Sequence, residues 1–414
     1  MRFKKYILYF FLIPIILITP PSIFIEILAR EMPNVYRDKN LAIINNERQY
    51  KALILGSSHA YYGINPDLFS MPVLNAANVS QDLKYDHFLL SKAIENKVDL
   101  QYVILSMSVF TPFNDLDNGI ESWRKYNYRH WFDFNPLSIT DYFDPSYHSV
   151  FFASPSKPGL AKRIIQYAMK GPIESAWSQD GWGLDYNFSS SAENIYSKGK
   201  TAAARHQSHT FNKNNIQMNI NYLKQIASLC SKNNIKLLIV TTPTYITYRS
   251  NLESERLNTM TSIISQISQD NNIKYINFLD DDRFELTDYA DADHLNHQGA
   301  QKLSKIIDNL ITSRVGMWRG SLRPGLSVSA PFVWRCLSSQ AVAPFPHPAH
   351  RTGRADFPHP ALGQDIMPSP TAGYGFGLAN GSVPVVYGGT DPGSATTLSP
   401  EPYVSRITTG AAVG

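Results

Sequence analysis

Four short, almost wholly apolar runs, with room for helices between them, limit this chain more than any other feature. They are Lys51-Ala-Leu-Ile-Leu55, Tyr102-Val-Ile-Leu-Ser-Met107, Ile235-Lys-Leu-Leu-Ile-Val-Thr241 and Ile273-Lys-Tyr-Ile-Asn-Phe278. A strand with one wet face alternates apolar and polar residues, whereas a run apolar throughout is covered on both faces, as in a parallel sheet between helical layers. Helical stripes fill the gaps. Ile216, Ile220, Leu223, Ala227 and Cys230 share one helix face, and Asn233-Asn234 stop that helix before the next strand. Leu303, Ile306, Ile307, Leu310 and Ile311 form another stripe, and segments 84–96 and 255–270 read as helices too. The expected fold is a three-layer α/β/α sandwich on a parallel sheet, with ligands at the carboxyl ends of the strands.

The two ends of the chain differ from this body. Three cationic residues in Met1-Arg-Phe-Lys-Lys5 precede twenty uncharged residues, Tyr6 to Ile25. Twenty helical residues rise about 30 Å, the thickness of a bilayer core. Residues 1–30 are therefore expected to be a cytoplasmic N-terminus and one transmembrane anchor, which places the following domain outside. A cleaved leader is the alternative, but Ile27-Leu28-Ala29-Arg30 makes a poor cleavage site. At the other end, residues 315–414 hold 13 of the 26 prolines and 14 of the 23 glycines, but no lysine. The body is rich in Lys, Asn and Ile, whose codons are AT-rich, and Pro, Gly, Ala and Arg use GC-rich codons. The break after Ser313-Arg314 is expected to mark a disordered or frameshifted tail without a catalytic role. That leaves 31–314 as the folded domain. Within it, about 111–210 reads as an insertion, with aromatics such as Trp123, Tyr128, Trp131, Phe143 and Trp182 and no clear period. Such aromatics can stack on sugar rings, but packing is the commoner use.

A net charge of +4 without a Lys/Arg-dense block argues against a nucleic-acid surface. Two cysteines, Cys230 and Cys336, make neither a disulfide framework nor a CxxC metal site. Arg205-His206-x-x-His209 offers two histidines without a carboxylate partner, so neither a metal nor a cofactor is expected. The chemistry gathers instead in two segments. Leu53-Ile-Leu-Gly56-Ser57-Ser58-His59-Ala60 ends a strand in a turn that presents a hydroxyl. Asp291-Ala-Asp293-His294-Leu-Asn296-His-Gln-Gly299-Ala300 precedes the last amphipathic helix. A serine needs a base to take its proton, and the base needs an acid to fix its tautomer. Ser58, His294 and Asp291 meet those needs. His59 can point inward but is not expected to be the base, because a neighbour in sequence on a turn usually points away, and Asp293 is expected to serve the loop or a cap. Pro243 and Tyr245, after the third of the four runs, are placed to shape the pocket.

With these segments the chain resembles the SGNH, or GDSL-type, hydrolase superfamily over about residues 50–314, most of the insertion excluded. The resemblance implies that Ser58 is the nucleophile, with Ser57 where the family has aspartate, and that Asp291 and His294 form its Asp-x-x-His block. The Asp-His-Leu-Asn-x-x-Gly-Ala run is similar to membrane-anchored members near polysaccharide O-acetylation and teichoic-acid alanylation systems. The family's oxyanion donors are a glycine amide and an asparagine. Here the second-strand region reads Leu74-Asn75-Ala76-Ala77-Asn78-Val79-Ser80-Gln81, and the next strand ends Ser106-Met107-Ser108-Val109. The amide of Ser58 with a donor from Asn78, Ser80 or Gln81 is the expected substitute. The implied function is an ester hydrolase or O-acyltransferase in the inner membrane, its domain facing the periplasm or outside. Its partners would be envelope polysaccharide or an acyl donor, the lipid bilayer, and a membrane acyl-donor protein. The alternative is a non-catalytic glycan-binding or assembly protein with the same fold.

Overall fold

A computed structural model describes residues 2–135, 138–188, 190–208, 212–270 and 272–312. The tail from 315 and His209 lie outside the described residues. The expected runs form strands β1 (Ala52–Leu55), β3 (Tyr102–Ser106), β4 (Lys236–Thr241) and β5 (Ile273–Asn277), and Val73–Asn75 adds a short β2. All pair in parallel in the order β2-β1-β3-β4-β5. This is a doubly wound α/β fold, and the order reverses between β1 and β3, where such sheets open a crevice at their carboxyl edge.

Along each strand, neighbouring residues serve opposite layers. Leu53, Leu55, Val103, Leu105, Leu237 and Ile239 join one apolar cluster. Ile54, Tyr102, Ile104, Leu238 and Val240 join the other. The first layer comprises α2 (Val35–Asn45), α4 (Leu83–Glu95), α11 (Lys213–Lys232) and α13 (Ser254–Ile267). The second includes α3 (Ser58–Gly63), α10 (Ala192–Gln207), α12 (Ile246–Arg249) and α14 (His297–Thr312). Each Leu or Ile fully removed from water contributes about 1.5–3 kcal/mol, so a two-sided sheet is the natural home for such runs.

The insertion breaks into short helices: α5 (Lys125–Phe132), α6 (Ile139–Tyr142), α7 (Pro145–His148), α8 (Val150–Ala153) and α9 (Lys157–Lys170), followed by α10. Its aromatics mostly pack. Tyr128 stacks on Tyr85 at 4.0 Å and meets Tyr36 edge-on at 5.1 Å, and Trp182 donates its indole N–H to the Tyr62 carbonyl at 2.7 Å. Tyr142 and Phe143 are exposed.

The N-terminal run lies in α1 (Arg2–Glu31). Among the described residues no helix is long and apolar enough to cross a membrane. The last turns of α1 are tied to the insertion through Glu26, whose carboxylate accepts from Ser149 Oγ at 2.7 Å, Val150 N at 3.0 Å and Phe151 N at 3.2 Å.

Candidate functional site

Ser58 opens α3 immediately after β1, at the carboxyl edge of the sheet beside the reversal. Gly56 makes that sharp exit possible. Its φ is +126°, and a Cβ there would lie 2.8 Å from the Ser106 carbonyl oxygen on β3. Only glycine meets both conditions without strain. The turn is held from below, because Gly56 N donates to Asp86 Oδ1 at 2.8 Å. Gln81 Nε2 donates to the same oxygen at 2.6 Å, and Tyr128 donates its hydroxyl to Gln81 Oε1 at 2.6 Å. Asn78 joins through Gln81 at 3.1 Å, and the buried Lys39 reaches Asn78 Oδ1 at 3.2 Å. Burial pushes the Asp86 carboxyl up to about 8 and the Lys39 ammonium well down, so this is a weakly charged polar core under the nucleophile turn.

His294 arrives from the far end of the chain. Asp291 Oδ1 accepts from Asp293 N at 3.0 Å and His294 N at 2.8 Å, which bends the loop back over the sheet edge. Asn296 closes the bend by capping α14 through Gly299 N at 3.0 Å. Tyr245 helps to seat the loop, since its N–H donates to the Ala292 carbonyl at 2.9 Å. The imidazole of His294 then lies between two partners. Its Nε2 is 2.9 Å from Ser58 Oγ, and its Nδ1 is 3.0 and 3.1 Å from the two Asp291 oxygens. The three residues expected to act together are thus brought together.

One expectation is corrected here. Asp293 is not a simple loop or capping residue: it is buried, and four nitrogens surround its Oδ2. These are His294 Nδ1 at 3.4 Å, Arg205 at 3.4 Å, His206 Nε2 at 3.6 Å and His59 Nε2 at 3.7 Å. His59 points inward. It is buried against the site, its ring centroid 4.9 Å from that of His294 and its Nδ1 2.6 Å from Ser108 Oγ. The adjacency of His59 to Ser58, and the doubled acid in Asp-x-Asp-His, were the visible signals.

The side chains expected to stabilise an oxyanion are committed elsewhere. Asn78 directs its amide hydrogens to the Ala76 carbonyl at 3.4 Å and to Gln81 Oε1, while Gln81 donates to Asp86. Ser80 Oγ donates to Glu121, which Arg124 also holds at 3.0 Å. The main-chain N–H of Ser58 lies in the first turn of α3, where amides have no acceptor within their helix.

Burial alone would lower the His294 pKa, but the Asp291 and Asp293 carboxylates outweigh it and hold the imidazolium above its ordinary range. His59 goes the other way, lowered by burial, and burial pushes His206 down to about 3. Of the three histidines around Asp293, His294 is the one that gains a proton most readily. Serine chemistry needs His294 neutral, so reaction of Ser58 should be slow in acid and rise with pH to a half-point above 6.5. A pH profile of covalent labelling with a half-point at or below 6 would contradict this. The stability link has the opposite sense: a raised folded pKa stabilises below the unfolded value and is lost as pH climbs through the folded one.

His59, Asp293 and His294 place donor atoms within 4.8 Å of one another and have the make-up of a metal site. A ligand bond at His294 Nδ1 would, however, displace the hydrogen bond to Asp291, so the arrangement suits proton transfer better. The residues that could have paired with His209 do otherwise, because His206 faces Asp293 and bonds Tyr248 through Nδ1 at 2.8 Å.

The family described as "Protein of unknown function (DUF1574)" matches residues 181–310, less than half of the chain. That segment carries Arg205, His206, Asp291, Asp293 and His294, and it stops short of Ser58. No curated protein matches the chain.

Proposed function

We propose that this chain is an SGNH-like serine ester hydrolase or O-acyltransferase, anchored in the inner membrane and acting outside it on cell-envelope glycan. The observation that carries the reading is the Ser58–His294–Asp291 array at the switch point of a doubly wound sheet. In the proposed reaction, Ser58 Oγ attacks an acyl carbonyl while its proton passes to His294 Nε2. The tetrahedral oxyanion forms near the Ser58 amide. As it collapses, the ester C–O bond breaks and His294 returns the proton to the departing alcohol oxygen. Water or a sugar hydroxyl then attacks the acyl-serine while its proton goes to His294; as the intermediate collapses, the bond to Ser58 Oγ breaks, His294 gives that proton to Oγ, and the acid or the new ester departs. Asp291 holds the tautomer with Nδ1 protonated. The substrate class rests on the resemblance and on the expected outside placement. The acyl donor would be a small ester or a membrane donor protein, with no metal, cofactor or nucleic acid required.

The test is labelling of the full-length chain in detergent with a fluorophosphonate, which needs an activated serine and no knowledge of the substrate. Labelling that vanishes in Ser58→Ala supports the enzyme. Failure of the wild-type protein to label, at any pH between about 5 and 9, supports the second reading: a glycan-binding or assembly protein. The observation favouring that second reading is the engagement of Asn78 and Gln81 within the core network, which leaves the oxyanion fewer donors.

The anchor belongs to the same proposal. The uncharged run makes up most of α1, and Phe10, Ile16, Leu17, Ile18 and Phe24 on it are exposed. Exposed apolar side chains on such a helix would be covered by lipid. The full chain should stay with membranes after alkaline carbonate washing, and a reporter after residue 314 should be active only outside the cytoplasm. Release by carbonate, or cytoplasmic reporter activity, would remove the anchor from the proposal.

A further inference from the structure

We infer that Asp293 is a second acid for His294, a positioning residue whose buried charge acts on the Nδ1 side beside the hydrogen bond to Asp291 and keeps the imidazole aimed at Ser58. The inference rests on the reading of Ser58 and His294 as nucleophile and base. Its basis is the placement of two carboxylates against one ring nitrogen. Asp291 approaches His294 Nδ1 at 3.0 Å from a side chain about one-third exposed, and Asp293 approaches it at 3.4 Å with 3% of its side chain exposed.

A carboxylate buried this deeply is costly unless charge and hydrogen bonds compensate. The compensation around Asp293 is built from separate elements. His294 lies on its own loop, His59 on α3, and Arg205 and His206 at the end of α10. His59 is fixed from behind by Ser108 Oγ at 2.6 Å, and His206 by the Tyr248 hydroxyl at 2.8 Å. Both rings thus turn Nε2 towards Asp293 Oδ2, at distances beyond a hydrogen bond. A polar chain results: Ser58, His294, Asp293, His59 and Ser108, reaching from the nucleophile at the end of β1 to the loop after β3. Ser108 is buried, so it braces His59 and is not a rival nucleophile.

The groups that face His294 decide what its proton does. Its own loop presents Asp291 and Asp293, α3 presents His59 and Tyr62, the insertion presents Tyr186, and α10 presents Arg205 and His206. Burial keeps the Tyr62 and Tyr186 phenols protonated, and His59 and His206 stay neutral because their pKa values are lowered. Two carboxylates and one guanidinium therefore set the field on His294. Removing either carboxylate should weaken the base by lowering its pKa, while the other still holds the tautomer.

This gives a quantitative test against a triad with one acid, where loss of the acid costs about 10⁴ in rate. The measurement is the second-order rate of fluorophosphonate labelling of the full-length protein across pH, with thermal melts of each variant. Asp291→Asn is expected to lose only about 10²-fold, with the acid limb moved to lower pH. Asp293→Asn is expected to show a similar loss and a shift in the same direction, and the double variant to fall to the level of His294→Ala. A loss of about 10⁴ in Asp291→Asn alone would overturn the inference, even if Asp293→Asn fails to fold. So would a folded Asp293→Asn with wild-type rate and pH profile. A wild-type chain that does not label, or a label that persists in Ser58→Ala, removes the nucleophile reading itself and this inference with it.

Discussion

Replacing Ser58 or His294 by alanine should each lower hydrolysis of p-nitrophenyl acetate by about 10⁴-fold or more, roughly 5–6 kcal/mol of barrier. The double variant should be no slower than either single one. The reason is geometric: Nε2 lies 2.9 Å from Oγ, so the base has no other proton to take and the hydroxyl no other base within hydrogen-bond range among the described residues. Groups that work as one unit lose their function together, and their effects do not multiply. Two singles of about 10² each with a double near 10⁴ would mean independent roles, and the triad would have to be abandoned. Tm values within about 2 °C of wild type would show that chemistry was lost and not the fold.

Gly56→Ala should be strongly damaging at the edge of the sheet. A non-glycine residue at φ +126° is strained by about 1–3 kcal/mol, and the added methyl would meet the Ser106 carbonyl at 2.8 Å. Either β1 and β3 separate or the turn rotates, and in both cases Ser58 leaves His294. The melting temperature should fall by roughly 5–12 °C, and labelling of Ser58 should be lost even below the transition. An unchanged Tm with full labelling would show that the backbone relaxes there at little cost.

The strands were legible because they are buried on both faces. Ala52–Leu55 and Leu237–Val240 contain no polar residue to break the pattern, and a parallel sheet is what hides such runs. β2 was harder to see, because three residues ending in Asn75 make a weak strand signal whose identity depends on pairing with Ala52–Ile54. The short helices α6 to α8 have four residues each, about one turn, so no period exists for the sequence to display. In the site, Ser58, Asp291 and His294 followed from the order of events that acyl chemistry demands. Asp293, His59 and His206 did not. Their roles depend on which way a buried side chain turns, and that is decided by Ser108 and Tyr248, 49 and 42 residues away. Asn78 and Gln81 misled for a similar reason: an amide beside the nucleophile reads as a donor to substrate until Asp86 and Tyr128 are seen to engage Gln81, which in turn holds Asn78.

Ser58 and His294 stand 236 residues apart in the chain. At about 5–20 residues per second, roughly 10–50 s separate the synthesis of the serine turn from that of the loop that activates it. During that interval β1, β2 and β3 can already pair, yet the hydroxyl at their edge is an ordinary alcohol. The Ser58–His294 contact forms only when the Asp-x-Asp-His bend folds over the sheet and α14 packs beneath it. If the proposed activity holds, the order of the elements acts as a delay: a chain still being made would carry no competent serine, and the half-built site could not attack an ester before the remainder of the sheet is in place.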